Sequence, residues 1–300
     1  MISLAKPFVT AAAVLLGSAP VFPANSQAIS PPAQAPAPAN VDYPRLAAHV
    51  IEAPLIVDAT VRSTSRVRGE EAIGLAPGHV RYYVTADVLS LIRGTTAIPS
   101  RIGYLVDLPF DSRGRAPNLR RLRVLVFART VPGRTDQVQL LSNDAHLDWS
   151  PERDALIRQI AREVVSPDAP PEITGVGNAF HTPGDLPGQG ETQIFLLTAR
   201  NDPISLSILR RPDGIRNWAV SLGEIVGDGS RPPERDTLLW YRLACGLPRA
   251  LPDGNVAADM PEHAAIVRED YQYVLESLGP CQGSSTPGQS FATPAMPNAW

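Results

Sequence analysis

From residue 55 the chain takes up a period of two, and it keeps that period through five successive runs ending at residue 141. The runs are 55–67 (LIVDATVRSTSRV), 79–92 (HVRYYVTADVLSLI), 101–108 (RIGYLVDL), 122–130 (LRVLVFART) and 137–141 (QVQLL). In the second, Tyr82, Val84, Ala86, Val88 and Ile92 fall on one face, and Arg93-Gly94 ends the strand. Helices flank the set. Asp42 caps residues 44–52 (PRLAAHVIE), with Leu46, Val50 and Ile51 as the apolar stripe. Ser150-Pro151 opens a second helix to about residue 165, with Leu156, Ile157, Ile160 and Val164 on one side. Five strands closed by a helix predict a small barrel over residues 43–166.

Residues 166–171 (SPDAPP) mark a boundary, and the Gly/Pro-rich stretch 175–190 reads as a loop. Strands follow at 192–199, 204–210 and 218–226. They are separated by Asn201-Asp202-Pro203 and Pro212-Asp213-Gly214, which is the turn chemistry of an antiparallel meander. Two helices complete this smaller α+β domain, residues 173–281. One runs from near Pro233 to Cys245-Gly246, the other from about 262 to 278, stopped by Gly279-Pro280. Residues 282–300 form a low-complexity tail without the alternating last strand of an outer-membrane barrel. The fold class is α+β.

The N-terminal residues give an address. Lys6 precedes a short apolar core at 8–16 (FVTAAAVLL), well under the roughly 20 residues a membrane span needs. Ser26-Gln27-Ala28 fits a cleavage site, so residues 1–28 read as an export signal and 29–42 as a Pro/Ala linker. The expected location is periplasmic or secreted, with no membrane span after cleavage. Lys6 is the only lysine among 27 Lys plus Arg, and the formal net charge is -3, which argues against nucleic acid as a partner. Cys245 and Cys281 in an exported chain suggest one disulfide, the alternative being two buried thiols. Neither has a second Cys or His at zinc-ligand spacing, so no metal and no cofactor is implied.

The pattern IVDATV at 56–61, YVTADVLSLIRG at 83–94 and LRVLVFA at 122–128 resembles the netrin-like module of metalloproteinase-inhibitor proteins. That resemblance implies an OB-type barrel with flanking helices. In that family a cysteine at the mature N-terminus chelates the target's metal. No cysteine precedes Cys245 here, so the inhibitor mechanism is not implied. Residues 191–197 (ETQIFLL) and 237–248 (TLLWYRLACGLP) are similar in style to exported proteins of sphingomonad-type bacteria, which implies an address and no activity.

Arg113, Arg115, Arg120, Arg121 and Arg123 are the binding candidates, a basic cluster whose guanidinium forks suit phosphate or carboxylate. Residues 238–245 (LLWYRLAC) are apolar nearly all round, and so belong to a core or to an interface anchored by Trp240 and Tyr241. His146 and Asp148 share a face of an extended chain, as a metal or base-orienter pair would. Asn178, His181, Asp185 and Glu191 lie in the Gly/Pro-rich stretch. No Gly-x-Ser-x-Gly, His-Glu-x-x-His, phosphate loop or Gly-x-Gly-x-x-Gly is present. The expectation is a non-enzymatic binding or interaction protein whose partner is an envelope protein or an anionic envelope component. The alternatives are a periplasmic hydrolase using a His/Asp site and an envelope assembly factor.

Overall fold

Asp42 accepts a hydrogen bond from the Arg45 amide at 3.4 Å and starts α1 (Tyr43–Glu52), with Pro44 in the first turn. A computed structural model describes residues 42–95, 97–223, 231–257 and 261–281. The expected signal (1–28), the linker up to residue 41 and the tail (282–300) lie outside the described residues. So does the expected last part of the strand at 218–226, from residue 224 on.

The first layer contains β1 (Leu55–Arg66), β2 (His79–Arg93), β3 (Arg101–Pro109), β4 (Arg123–Val131) and β5 (Arg134–Leu140), paired in the order β1-β2-β3-β5-β4 and closed by β1 against β4. It is a closed five-stranded barrel of OB type, antiparallel except where β3 meets β5 in parallel. Bulges in β1 at Ile56/Val57, Asp58/Ala59 and Val61/Ser63 bend it around the barrel. A sixth strand, β6 (His146–Asp148), extends the sheet from β4, and α2 (Pro151–Val164) follows, capped by Ser150.

The burial pattern explains why the strands read differently in sequence. Residues 55–59 of β1 and 124–128 of β4 are buried without interruption. One face looks into the barrel, while α1 and α2 cover the other: His49 of α1 stacks on Phe127 at 5.1 Å, and Arg158 of α2 reaches Asp58 of β1. α2 meets β2 near its end, where Arg158 donates to Ser90 at 2.7 Å, and burial along β2 and β3 is interrupted.

The second layer is the antiparallel sheet β7 (Ile173–Pro183), β8 (Gly190–Thr198), β9 (Ile204–Arg210) and β10 (Arg216–Ser221), in the order β10-β9-β8-β7. β7 corrects the expectation of a loop over residues 175–183, while 184–189 form the turn to β8. The buried residues of β7 are Ile173, Val176 and Ala179, spaced by three because bulges lie at Ile173/Gly175 and Val176/Ala179. The bulges erase the period of two, and the glycines read as loop. Helix α3 (Leu238–Gly246) starts at its Thr237 cap, later than expected, and α4 (Pro261–Leu278) packs on the sheet through Val267, Asp270, Tyr271, Val274 and Leu278. Among the described residues no helix is long and apolar enough to cross a membrane.

The buried side chains of both layers form one continuous core. Trp240 of α3 sits at the junction. Its ring meets Tyr43 of α1 edge-on at 6.4 Å, and its indole N–H donates to the Leu278 carbonyl of α4 at 2.9 Å. Cys245 and Cys281 form a disulfide that ties the ends of α3 and α4 across a separation of 36 residues. The chain-entropy account assigns a loop of this length about 4 kcal/mol of stabilisation. Replacing both cysteines by serine is expected to lower the unfolding free energy by about that amount. Reducing agent should cause the same loss in the unchanged protein and none in the variant, read by urea denaturation.

Candidate functional site

His146 and Asp148 are on β6, opposite Val126 and Val124 of β4. The His146 ring packs edge-on against the buried Tyr104 at 5.7 Å. Burial pushes its pKa down from 6.5 to about 4, against the weaker pull of the Asp148 carboxylate. Its Nδ1 is buried and has no hydrogen-bond partner among the described residues. Asp148 is exposed, and its backbone carbonyl accepts from the Arg153 side chain. The arrangement is a neutral core imidazole beside a surface carboxylate.

His181 lies in the other sheet, on β7 opposite Thr192 of β8. Its Nδ1 is 3.0 Å from the Thr192 hydroxyl, and that hydroxyl donates to Oδ2 of Asp270 on α4. The single hydroxyl proton is thus directed at the carboxylate, which makes His181 Nδ1–H the donor to threonine. Thr192 and Asp270 are both fully buried. Asp270 also accepts from Arg210 Nε at 2.9 Å through each oxygen, and Arg216 lies 3.7 Å away. Glu269 holds the outer side of both arginines. The His263 ring is 5.7 Å from that of His181. Burial lowers the His181 pKa, helped by Arg210 and His263 and opposed by Asp270. Gly190 is needed at the edge of this network, since a Cβ there would stand 2.5 Å from His181 Cε1. The chain of bonds pins α4 to the sheet. It leaves the threonine oxygen buried and its proton directed at a carboxylate, which is not the layout of an activated nucleophile.

The remaining residues of that stretch are apart from it. Asp185 is exposed in the β7–β8 turn, which is closed by Gly184 N–H to the Gln189 carbonyl at 2.9 Å. Asn178 is exposed on β7, and Glu191 accepts from Ser207 at 2.7 Å. His146 with Asp148 and His181 with Asp185 belong to different sheets.

The arginine cluster divides in two. Arg123 grips buried Asp58 with two bonds, Nε–Oδ1 at 2.9 Å and NH2–Oδ2 at 2.7 Å, and its guanidinium stacks on Trp149 at 3.8 Å. Arg115 pairs with Asp111 at 3.0 Å. The side chains of Arg113, Arg120 and Arg121 are exposed, with no ion pair among the described residues. Their loop is nonetheless fixed. Asp111 Oδ1 accepts the amides of Arg113 and Arg115 at 2.9 and 2.8 Å, and Asn118 accepts that of Arg120 at 3.1 Å. Leu119 is buried as an anchor. Arg121 N–H bonds to the Val61 carbonyl at 2.9 Å, and Val61 N–H bonds back to Leu122 at 2.8 Å. Between these bonds Arg121 is held at φ 66°, a left-handed conformation that costs a side chain about 1–2 kcal/mol.

Trp240 is 2% exposed and its contacts are internal, while Tyr241 is half-buried against the same core. Two hubs escaped the sequence reading, Asp58 and Asp270. Each left a signal: Asp58 interrupts the apolar run LIVDATV, and Asp270 falls on the buried stripe of α4. No protein-family profile matches the chain, and no curated protein sequence matches it.

Removing the Asp270 carboxylate (Asp270→Ala) leaves the partly buried Arg210 paired with the outer Glu269 alone and deprives the buried Thr192 hydroxyl of its acceptor. It is expected to cost about 3–5 kcal/mol in urea denaturation. His146 makes a pH prediction. The unfolded chain takes up a proton near 6.5 and the native chain only near 4, so stability is complete above pH 6.5 and falls as pH drops towards 4. The loss attributable to His146 is about 3 kcal/mol. His146→Phe is expected to flatten the stability profile in that window, measured as the difference from the unchanged protein at pH 7 and pH 4.5.

Proposed function

We propose that the chain is an exported envelope protein that binds, without turnover, an anionic envelope component or the acidic face of an envelope protein. The observation that carries this reading is the loop at 110–122, which holds Arg113, Arg120 and Arg121 exposed and unpaired on a backbone fixed by its own hydrogen bonds. A guanidinium binds phosphate or carboxylate with two charge-assisted bonds, and the fixed backbone spares the cost of ordering the loop. A strained, pinned residue in such a loop is an observation from which function is reasonably inferred. Export rests on the apolar core at 8–16 and the Ser26-Gln27-Ala28 site, with the disulfide in keeping. The binding reading is favoured over a hydrolase because His146 packs edge-on against Tyr104 with its Nδ1 buried, and His181 is tied into a structural network.

The test uses the mature chain and vesicles with or without anionic lipid or lipopolysaccharide. Binding is expected to anionic vesicles only and to weaken as salt rises. Arg120→Ala with Arg121→Gly should reduce it about tenfold or more, the equivalent of 1.4 kcal/mol. Arg121→Gly relieves the left-handed strain while loosening the unfolded chain, so stability should stay within about 1 kcal/mol of the unchanged protein. Salt-insensitive binding, or full binding by the double variant, would remove the loop from the function. Loss of turnover on any substrate after substitution of His146 or His181 would favour the hydrolase.

A further inference from the structure

Four of the five seams of the barrel are ladders, and the fifth is not. β3 and β5 share the single register pair Gly103–Gln137. Beyond it a groove of about 550 Å³ opens between Leu105–Asp107 on one side and Gln139–Asn143 on the other, with β2 forming its far wall. That size falls within the roughly 300–1,000 Å³ range of small-molecule sites.

Three features of its lining point to one ligand chemistry. First, there is an apolar platform. Tyr83 crosses β3 over Gly103, where a Cβ would stand 2.0 Å from the phenol oxygen. Leu105, directly opposite Tyr83 in the β2–β3 ladder, is half exposed beside it. Second, the charges cancel. Arg81 and Asp107 form a two-bond pair, both bonds 2.7 Å, and Arg81 is fixed further by the Ile73 carbonyl at 3.2 Å. A guanidinium so neutralised offers little to an anion, but the carboxylate keeps lone pairs that can accept from a hydroxyl. Third, the other wall carries amides. Among the described residues Gln137 and Asn143 have no side-chain partner, and Gln139 accepts only from Arg129 at 3.2 Å. An amide both donates and accepts, which matches groups that do the same. Sugar hydroxyls are such groups, and the apolar face of a sugar ring suits an aromatic platform.

We propose that this seam groove is a binding site for a neutral oligosaccharide, with Tyr83 as the platform and Gln137, Asn143 and the Arg81–Asp107 pair as hydroxyl partners. The site is separate from the arginine loop, since none of Arg113, Arg120 and Arg121 lines it.

The experiment is a screen of the mature chain against neutral glycans, anionic glycans and extended peptides, with titration calorimetry on the hits. The expected result is a neutral oligosaccharide with a Kd below about 1 mM that is unaffected by salt. Tyr83→Ala and Gln137→Ala should each weaken it about tenfold or more. Gly103→Ala should do so as well, because the added Cβ displaces the Tyr83 ring while leaving tyrosine in the sequence. Among the described residues the half-buried Gln137 side chain has no hydrogen-bond partner to lose, so its variant keeps the test valid if either other variant fails to fold. Arg120→Ala with Arg121→Gly should leave glycan binding intact even if it abolishes anion binding. The proposal is overturned if no neutral glycan binds, if binding survives Tyr83→Ala and Gln137→Ala, or if only extended peptides or anionic glycans bind.

Discussion

A carboxylate buried in the middle of an apolar strand has to be met by cations, and Asp58 is met by two. Arg123 of β4 grips it bidentately, and Arg158 of α2 stands 3.9 Å away while donating to Ser90 of β2 at 2.7 Å. The barrel's closing seam, β1 against β4, is therefore locked at its charged centre, and the same carboxylate fixes where α2 lies across it. Leaving one partner of such a pair unsatisfied costs about 3–5 kcal/mol, a large part of the 5–15 kcal/mol that keeps a domain folded. Trp149 stacks on the same guanidinium just before the cap of α2, so the pair also sets the direction in which the helix starts.

The second layer repeats this solution with different residues. Asp270 of α4 is buried on the sheet and gripped by Arg210, with Thr192 and His181 continuing the chain of bonds to the edge strand. In the first layer an aspartate–arginine pair joins β1 to β4, and in the second one joins α4 to β9. The two layers are then joined by packing, through Tyr43 and Trp240. Of the titratable groups that resemble chemistry in the sequence, His181 and Glu191 are bonded into the second layer, His146 packs against Tyr104, and Asp148 and Asp185 are exposed on different sheets. What the fold leaves free is different in kind: guanidiniums on a pinned loop and a polar groove at the one seam without a full ladder.

How much was legible depended on whether a residue's partners were local. The strand runs and both caps of the first layer stood in the sequence, because a period of two and an Asp or Ser before a proline are read within a few residues. β7 was not legible, because bulges spaced its buried residues by three. Arg123 was grouped with its neighbours in the loop because its distinguishing contact, Asp58, is 65 positions away. His146 and His181 looked alike as candidates. One is desolvated against Tyr104 and the other is bonded to Thr192, distinctions made by other strands.

By itself the sequence determined the α+β class, the five strand runs of the barrel, three of the four strands of the meander and the helix starts at Asp42 and Ser150, since each follows from periodicity, capping or turn chemistry. Tertiary structure alone decided the closure of β1 on β4, the opening between β3 and β5, and which charges are met and which stand free. These outcomes depend on side chains tens of residues apart being brought within 3 Å, and no local pattern encodes that distance.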